Sequence, residues 1–308
     1  MPFDLSLTHT RTSYPRGRGQ PLWRRLQRLA DAVRDHVVVL WQGLFADARA
    51  RLTTTALPAL GETGALGGVL QAVEAVWHTT VESPAQHWLP ALLAPPLTTA
   101  GEMQTASLQA TLGITLTAAP NSVAVAQVLD TYIGRSLREV STTTLRAVQE
   151  VLRTGWAAQR PMPALVQELQ TVLGLAPRQA QGLATLRARL VASGLAPARI
   201  EQTIQAATTV ALHQRALMIA RTTSMDVANL GAHLALRAAV EQGVVAAEQI
   251  RRFWVTAGES ACPTVCLPIP ELNPAGVGLE QEFETPIGPL LLPTAHPNCR
   301  CTVDVRIL

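Results

Sequence analysis

Apolar residues along this chain recur at helical intervals for most of its length and switch to a period of two only near the carboxyl end. From Pro21 to about Leu52, Leu22, Leu26, Leu29, Val33, Val37, Leu40, Trp41 and Leu44 recur every three or four positions, with Arg24, Arg25, Arg28 and Arg34 on other faces. This predicts a basic amphipathic helix whose stripe packs in the protein or on a partner rather than on a membrane surface. Residues 53–120 mix short apolar runs with Pro58, Gly61, Pro84, Pro90, Pro95, Pro96, Gly101 and Pro120. There the spacing predicts helices over Val69–Val81 and Ser83–Leu93, with His78, His87 and Trp88 packed rather than bound to a metal.

Longer helices follow. Asn121 and Ser122 are N-cap residues for a stripe of Val125, Val128, Leu129, Ile133, Leu137, Val140, Leu145, Val148 and Leu152, which runs to about Gly155. Gly134 and the run Thr142-Thr143-Thr144 weaken its continuity as one rod. After Pro161-Met162-Pro163, Ala164–Leu173 reads as a short helix closed by Gly174. The segment Gly174-Leu175-Ala176-Pro177 then recurs as Gly194-Leu195-Ala196-Pro197. Glycine at one helix's end and proline in the next one's first turn predict a helical hairpin. Its second member runs from Pro197 past Arg221 to Val240, and Gly243 ends it. Arg221 sits among apolar residues, so its guanidinium needs an acceptor that locks this helix to the carboxyl-terminal segment, or else it holds an anion.

At the end of the chain Cys299, Cys301, Val303, Val305 and Ile307 alternate with Arg300, Thr302, Asp304 and Arg306, which predicts a strand with both cysteines on one face. Pro297 favours a turn at His296-Pro297-Asn298 leading into it. A hairpin of Gln281–Thr285 and Pro289–Leu292 around Ile287-Gly288 completes a small, mostly antiparallel sheet. The expected class is α+β: predominantly helical with long helices, ending in a small antiparallel β cassette that carries the Cys and His residues. Four stretches follow: a flexible basic arm (1–20), a helical amino-terminal region (21–120), a long-helix region (121–250) and the cassette (251–308).

Composition narrows the class. The chain has 308 residues, 48% hydrophobic but only 4% aromatic, a balance of Ala, Leu and Val that suits helices. All 25 basic residues are Arg, and the net charge of +3 is too small to require a nucleic-acid partner. No apolar run is long enough to span a membrane, and the first residues lack a signal peptide's apolar core.

All four cysteines lie in the last sixth, as Cys262 and Cys266, then Cys299 and Cys301 after His296. Four of these five residues are the right donors for a structural zinc. The three-residue gap between Cys262 and Cys266 is wider than the common two, and buried thiols with His296 capping backbone remain the alternative, as does a disulfide outside a reducing cytoplasm. Cys262 with His296 could also be drawn as a nucleophile and base, but no third orienting residue and no Gly-rich phosphate loop accompanies them.

The segment also resembles the phage head morphogenesis proteins related to the Mu F protein. The residues that carry the likeness are Trp254, Glu259, the cysteine pair Cys262 and Cys266, and the terminal His296-Pro297-Asn298-Cys299-Arg300-Cys301. Upstream, Arg221 and Thr222 match the family's Arg-Thr-Glu helix. Thr223 replaces the usual Glu and Glu259 the usual Asp. The likeness covers roughly Pro163 to Leu308. It implies a minor capsid protein in the virion, inside the head and bound to the portal protein, where it aids head assembly and DNA packaging or delivery. It further implies contacts with major capsid or scaffold protein and with phage DNA. With no third orienting group in the cassette and Thr223 unable to titrate, the residues themselves point to binding and not to catalysis. The competing classes are an enzyme or toxin-like module using the cassette, and a DNA-binding protein.

Overall fold

A computed structural model of the chain describes residues 21–52, 66–113, 122–258 and 261–308. The basic arm (1–20), residues 53–65, residues 114–121 with the Asn121 cap, and residues 259–260 with Glu259 lie outside the described residues. The fold is α+β and mostly helical, with one two-stranded antiparallel sheet near the carboxyl end among the described residues. Helix α1 spans Leu22–Arg51, α2 Leu66–Trp77, α3 Ser83–Leu112, α4 Ser122–Ala157, α5 Met162–Val172, α6 Pro177–Ala192 and α7 Pro197–Glu241. Strand β1 (Ile250–Val255), the single turn α8 (Ile269–Leu272) and strand β2 (Thr302–Ile307) complete the chain.

Two compact units divide these elements, and neither is one continuous segment. The first holds residues up to Val33, Pro95–Asn121 and Ser224–Leu308; the second holds Arg34–Ala94 and Ser122–Thr223. The division falls inside α1, α3 and α7.

In the second unit the core gathers around aromatic residues of α1 and α2. Trp41 and Phe45 lie 5.5 Å apart, Phe45 and Trp77 6.1 Å, and the Trp77 indole donates to Ser141 Oγ at 2.9 Å. Helix α4 continues through Gly134 and the threonine run, since its buried stripe from Val125 to Leu152 holds the helix by packing. Thr143 Oγ1 donates to Glu139 O in the preceding turn. Helices α6 and α7 form the expected hairpin. Gly174 and Gly194 adopt φ of +91° and +73°, Arg187 pairs with Glu201, and Gln179 Nε2 donates to Ala211 O at 3.0 Å.

Two expectations are corrected. The helix predicted over Ser83–Leu93 runs on to Leu112, through Pro90, Pro95, Pro96 and Gly101. Each proline deletes one helical N–H, but Ala85, Leu89, Leu93, Leu97, Ala100, Gln104 and Leu108 are all buried, a stripe whose packing outweighs the lost bonds. Just before Pro84 the chain tightens its accounts differently. His78–Glu82 form a π turn in which Ser83 N–H bonds His78 O, so the missing Pro84 donor falls at a change of helical pitch. Second, His78, His87 and Trp88 are exposed rather than packed in the core, with His87 edge-on to Trp88 at 5.0 Å.

In the first unit Leu108, Leu236, Ala239, Val245, Ile250 and Leu279 form one buried cluster, and the cassette residues form another. Gly231 lets α7 approach α3 closely: a Cβ there would lie 2.1 Å from Leu97 O and 2.9 Å from Ala100 Cβ. Gly231→Ala is therefore expected to lower unfolding free energy by at least about 2 kcal/mol through overpacking. Gly182→Ala, on an exposed part of α6 with nothing within 4 Å of a new Cβ, is expected to raise it by about 0.5–1 kcal/mol. Urea unfolding of both variants checks the pair of opposite signs.

Candidate metal centre

The cassette is built on β1. In register, Ile250 faces Ile307, Arg252 faces Val305 and Trp254 faces Val303, and alternation buries Ile250, Arg252 and Trp254 together. A guanidinium on the buried face must find acceptors. Arg252 finds them in backbone carbonyls of the Pro-rich loop: Nε donates to Gly278 O at 2.9 Å, Nη1 to Leu291 O at 2.8 Å and Nη2 to Gln281 O. It also lies 5.2 Å over the Phe283 ring, which meets Trp254 edge-on at 5.3 Å. Burial lowers its pKa to about 10, so it remains charged at neutral pH.

Folded onto this base, the loop forms the expected hairpin in reduced form, a single bridge of Phe283 with Leu290 closed by a turn at Thr285–Gly288. Asn273 ties it to α8, donating to Ile269 O and Glu284 O and accepting from Glu284 N–H. The terminal strand is shorter than the alternation predicts. It begins at Thr302, and its ladder partner is Ile250–Val255, a stretch to which the apolar spacing assigns no element.

The motif His296-Pro297-Asn298-Cys299 is one turn. Cys299 N–H bonds His296 O at 3.1 Å, Pro297 holds the second position and Asn298 the third with φ of +70°, the pattern of a type II turn. Such a turn sets its first and fourth residues side by side. Cys266 arrives from the turn before α8, where its N–H bonds Cys262 O at 2.9 Å.

The result is a cluster of three donors. Cys266 Sγ lies 3.0 Å from His296 Nε2 and 3.8 Å from Cys299 Sγ, and the three ligand atoms all lie within 4.8 Å of one another. These three residues could hold a metal ion. His296 Nδ1 is 2.8 Å from Pro297 O, an acceptor only, so Nδ1 carries the proton and Nε2 turns its lone pair toward Cys266. Cys299 is pulled down to about 5, first by the hydrogen bond from the Cys301 thiol. Cys266 is pushed up to about 11 by burial with Cys299 adding, and Cys301 is raised as the partner that keeps its proton. One sulfur in the cluster is thus readily anionic, and further thiolates need added positive charge.

The other residues singled out by sequence fall around or apart from this cluster. Cys301 is buried in the same apolar cluster as Trp254, and Cys262 is half-buried at its edge with its thiol 3.5 Å from Thr264 Oγ1. Arg300 pairs with Asp31 of α1 at 3.1 Å, and Gln27 Nε2 donates to Arg300 O at 3.0 Å. Arg221 and Thr222 belong to the second unit, where Arg221 is half-buried and Thr222 Oγ1 donates to Met218 O.

The anchors between α7 and the cassette are residues that sequence reasoning passed over. Asp226 Oδ1 accepts from both the N–H (3.0 Å) and the hydroxyl (2.8 Å) of Thr294, and Asn229 Nδ2 donates to Cys301 O at 3.1 Å. Their signal was a carboxylate and an amide three residues apart, on one face of α7; the signal for Arg252 was a charge in phase with Ile250 and Trp254. His233, one turn beyond Asn229, is buried, lines a small cavity with Asn229 and Arg252, and makes no hydrogen bond through either ring nitrogen.

No family model, curated protein or solved structure matches this chain.

Burial, with Arg252 and Arg237 nearby, drives His233 down to about 3 from an ordinary 6.5, while Glu280 stands 3.9 Å from Nε2. Between these values the unfolded chain binds a proton the folded one refuses, so the stabilisation is complete above pH 6.5 and is lost as pH falls toward 3. The stability difference between wild type and His233→Gln is expected to fall by about 2 kcal/mol from pH 7 to pH 5 in urea titrations. Asn298→Gly should keep the turn and the cluster, whereas Asn298→Val should cost about 1–2 kcal/mol through its left-handed backbone, measurable as a fall in Tm.

Proposed function

We propose that this chain is a minor head protein of a tailed phage or prophage, whose carboxyl-terminal cassette is held shut by a structural zinc ion. The observation that carries the reading is the meeting of His296 and Cys299, from the terminal motif, with Cys266, 30 residues before His296. The motif on which the family likeness rests is thereby a set of converging donors. Two thiolates bound to one tetrahedral zinc at about 2.3 Å stand about 3.8 Å apart, the separation of Cys266 and Cys299. The Pro297 carbonyl supplies the partner that orients a zinc-binding imidazole. Zinc would supply the positive charge that lets neighbouring buried sulfurs ionise together.

The function is binding rather than catalysis. The contact of Cys266 with His296 favours a thiol–imidazole enzyme as the second reading. Against it, Cys266 is only 1% exposed, its thiol is held protonated by burial, and His296 Nδ1 is spent on its neighbour's carbonyl rather than on an orienting side chain. Partner contacts fall to the long helices, where α1 presents exposed Arg24 and Arg28. In this reading the partner is the portal protein, with capsid or scaffold protein and phage DNA as neighbours inside the head. No described helix is long and apolar enough to cross a membrane.

Elemental analysis of the purified chain is expected to give one zinc per chain, lost in Cys299→Ser together with several degrees of Tm. The chain should also co-purify with portal protein from assembled procapsids. A metal-free, fully stable wild type would remove the zinc, and procapsids lacking the chain would remove the head-protein role.

A further inference from the structure

Asn229 and His233 carry three hydrogen-bonding atoms that find no partner within the protein. Asn229 Oδ1 and both ring nitrogens of His233 are buried and unpaired, and the two residues are only 3% and 4% exposed. Four positions apart on α7, they share one face of the helix and line the same small cavity. Leu26 of α1, Gln104 of α3, Arg252 of β1 and Val303 of β2 also line it, and every lining residue belongs to the first unit. Buried polar atoms in folded proteins are almost always hydrogen-bonded, to protein or to ordered water.

Size and chemistry together select the occupant. The cavity offers about 10 Å³ to the centre of a water-sized molecule, close to the roughly 10–15 Å³ that one water needs. Arg252 on the wall repels a cation. Asn229 Oδ1 is an acceptor only, so a bare anion would meet a lone pair rather than a proton. An apolar guest would leave all three atoms unpaired. The ring of His233 is neutral, since burial first, then the charges of Arg252 and Arg237, drive its pKa to about 3. Glu280 Oε1, an acceptor, stands 3.9 Å from Nε2, too far for a hydrogen bond but close enough to favour the tautomer with the proton on Nε2. Nδ1 is then an acceptor. Two acceptors on one helix face, Asn229 Oδ1 and His233 Nδ1, call for a molecule with two protons to give. The Gln104 amide, 2% exposed, has an N–H to offer in return.

We propose that one ordered water occupies this cavity, donating to Asn229 Oδ1 and His233 Nδ1 and accepting from the Gln104 amide. Its first consequence is the orientation of Asn229. With Oδ1 engaged by the water, Nδ2 is directed at Cys301 O, the 3.1 Å bond that seats the cassette on α7. Its second is that α3 joins the same network through Gln104. His233 is thereby a positioning residue for the cassette, acting through a solvent molecule, and the site stands whether or not the cassette holds a metal.

Crystals of the full-length chain, one set soaked in bromide, test the occupant. Density for one water is expected within hydrogen-bond distance of Asn229 Oδ1 and His233 Nδ1, with no anomalous signal there. In solution, nitrogen-15 NMR of the wild type should show His233 as the Nε2–H tautomer, its Nδ1 resonance shifted by an accepted hydrogen bond. Oxygen-17 relaxation dispersion should count one long-lived water fewer in His233→Phe, which keeps a ring and removes both nitrogens. An empty cavity, a bromide peak in place of the water, or the Nδ1–H tautomer would each overturn the proposal, all three being read on the unaltered chain. An unchanged water count in a folded His233→Phe would also overturn it, because the imidazole would not be holding the molecule.

Discussion

A guanidinium on the buried face of a two-residue-period strand is the constraint from which the cassette's shape follows. Arg252 cannot be left without acceptors where it lies, and the acceptors it finds are carbonyls of a loop too rich in proline to make a sheet of its own. The loop wraps because its orphan carbonyls and the strand's orphan donors satisfy one another. Once it is wrapped, Phe283 is fixed between Arg252 and Trp254, and the return path ends at the turn that sets His296 beside Cys299. Charge satisfaction thus positions the sulfur chemistry without touching it.

The same economy governs how the cassette meets α7. Asp226 and Asn229 bond backbone on either side of the terminal turn, at Thr294 and Cys301. Backbone contacts of this kind fix chain position whatever side chains the loop carries. Asp31 and Arg300 add an ion pair, but both are more than a third exposed, so solvent screening leaves it a small share of the stability.

Much of the helical fold was legible in the sequence because packing stripes and punctuation agreed there. The Gly-Leu-Ala-Pro repeat located two helix starts, and the stripe of Leu22 to Leu44 located α1. Proline misled where it stood inside a stripe strong enough to override it, as in α3. Around the site, the donors were legible as residue types, and Pro297-Asn298 as a turn. What could not be read was which donors would meet, since that depends on where a loop of nearly thirty residues returns, and the return is set by Arg252. Arg252 itself was hidden because a basic residue in a strand is ordinarily read as solvent-facing. Arg221 stands out in the sequence by contrast, because its apolar neighbours give the same cue on a helix.

The division of α1, α3 and α7 between the two units carries a consequence for how such a cassette can travel between genes. No single cut in the coding sequence separates the unit containing the cassette from the rest, because that unit draws on three distant stretches of chain. A recombination event that transplanted only the last sixth would leave behind the aspartate, the asparagine and the helix faces on which it is seated. To keep its seat, the cassette would have to be moved together with those separate stretches of chain.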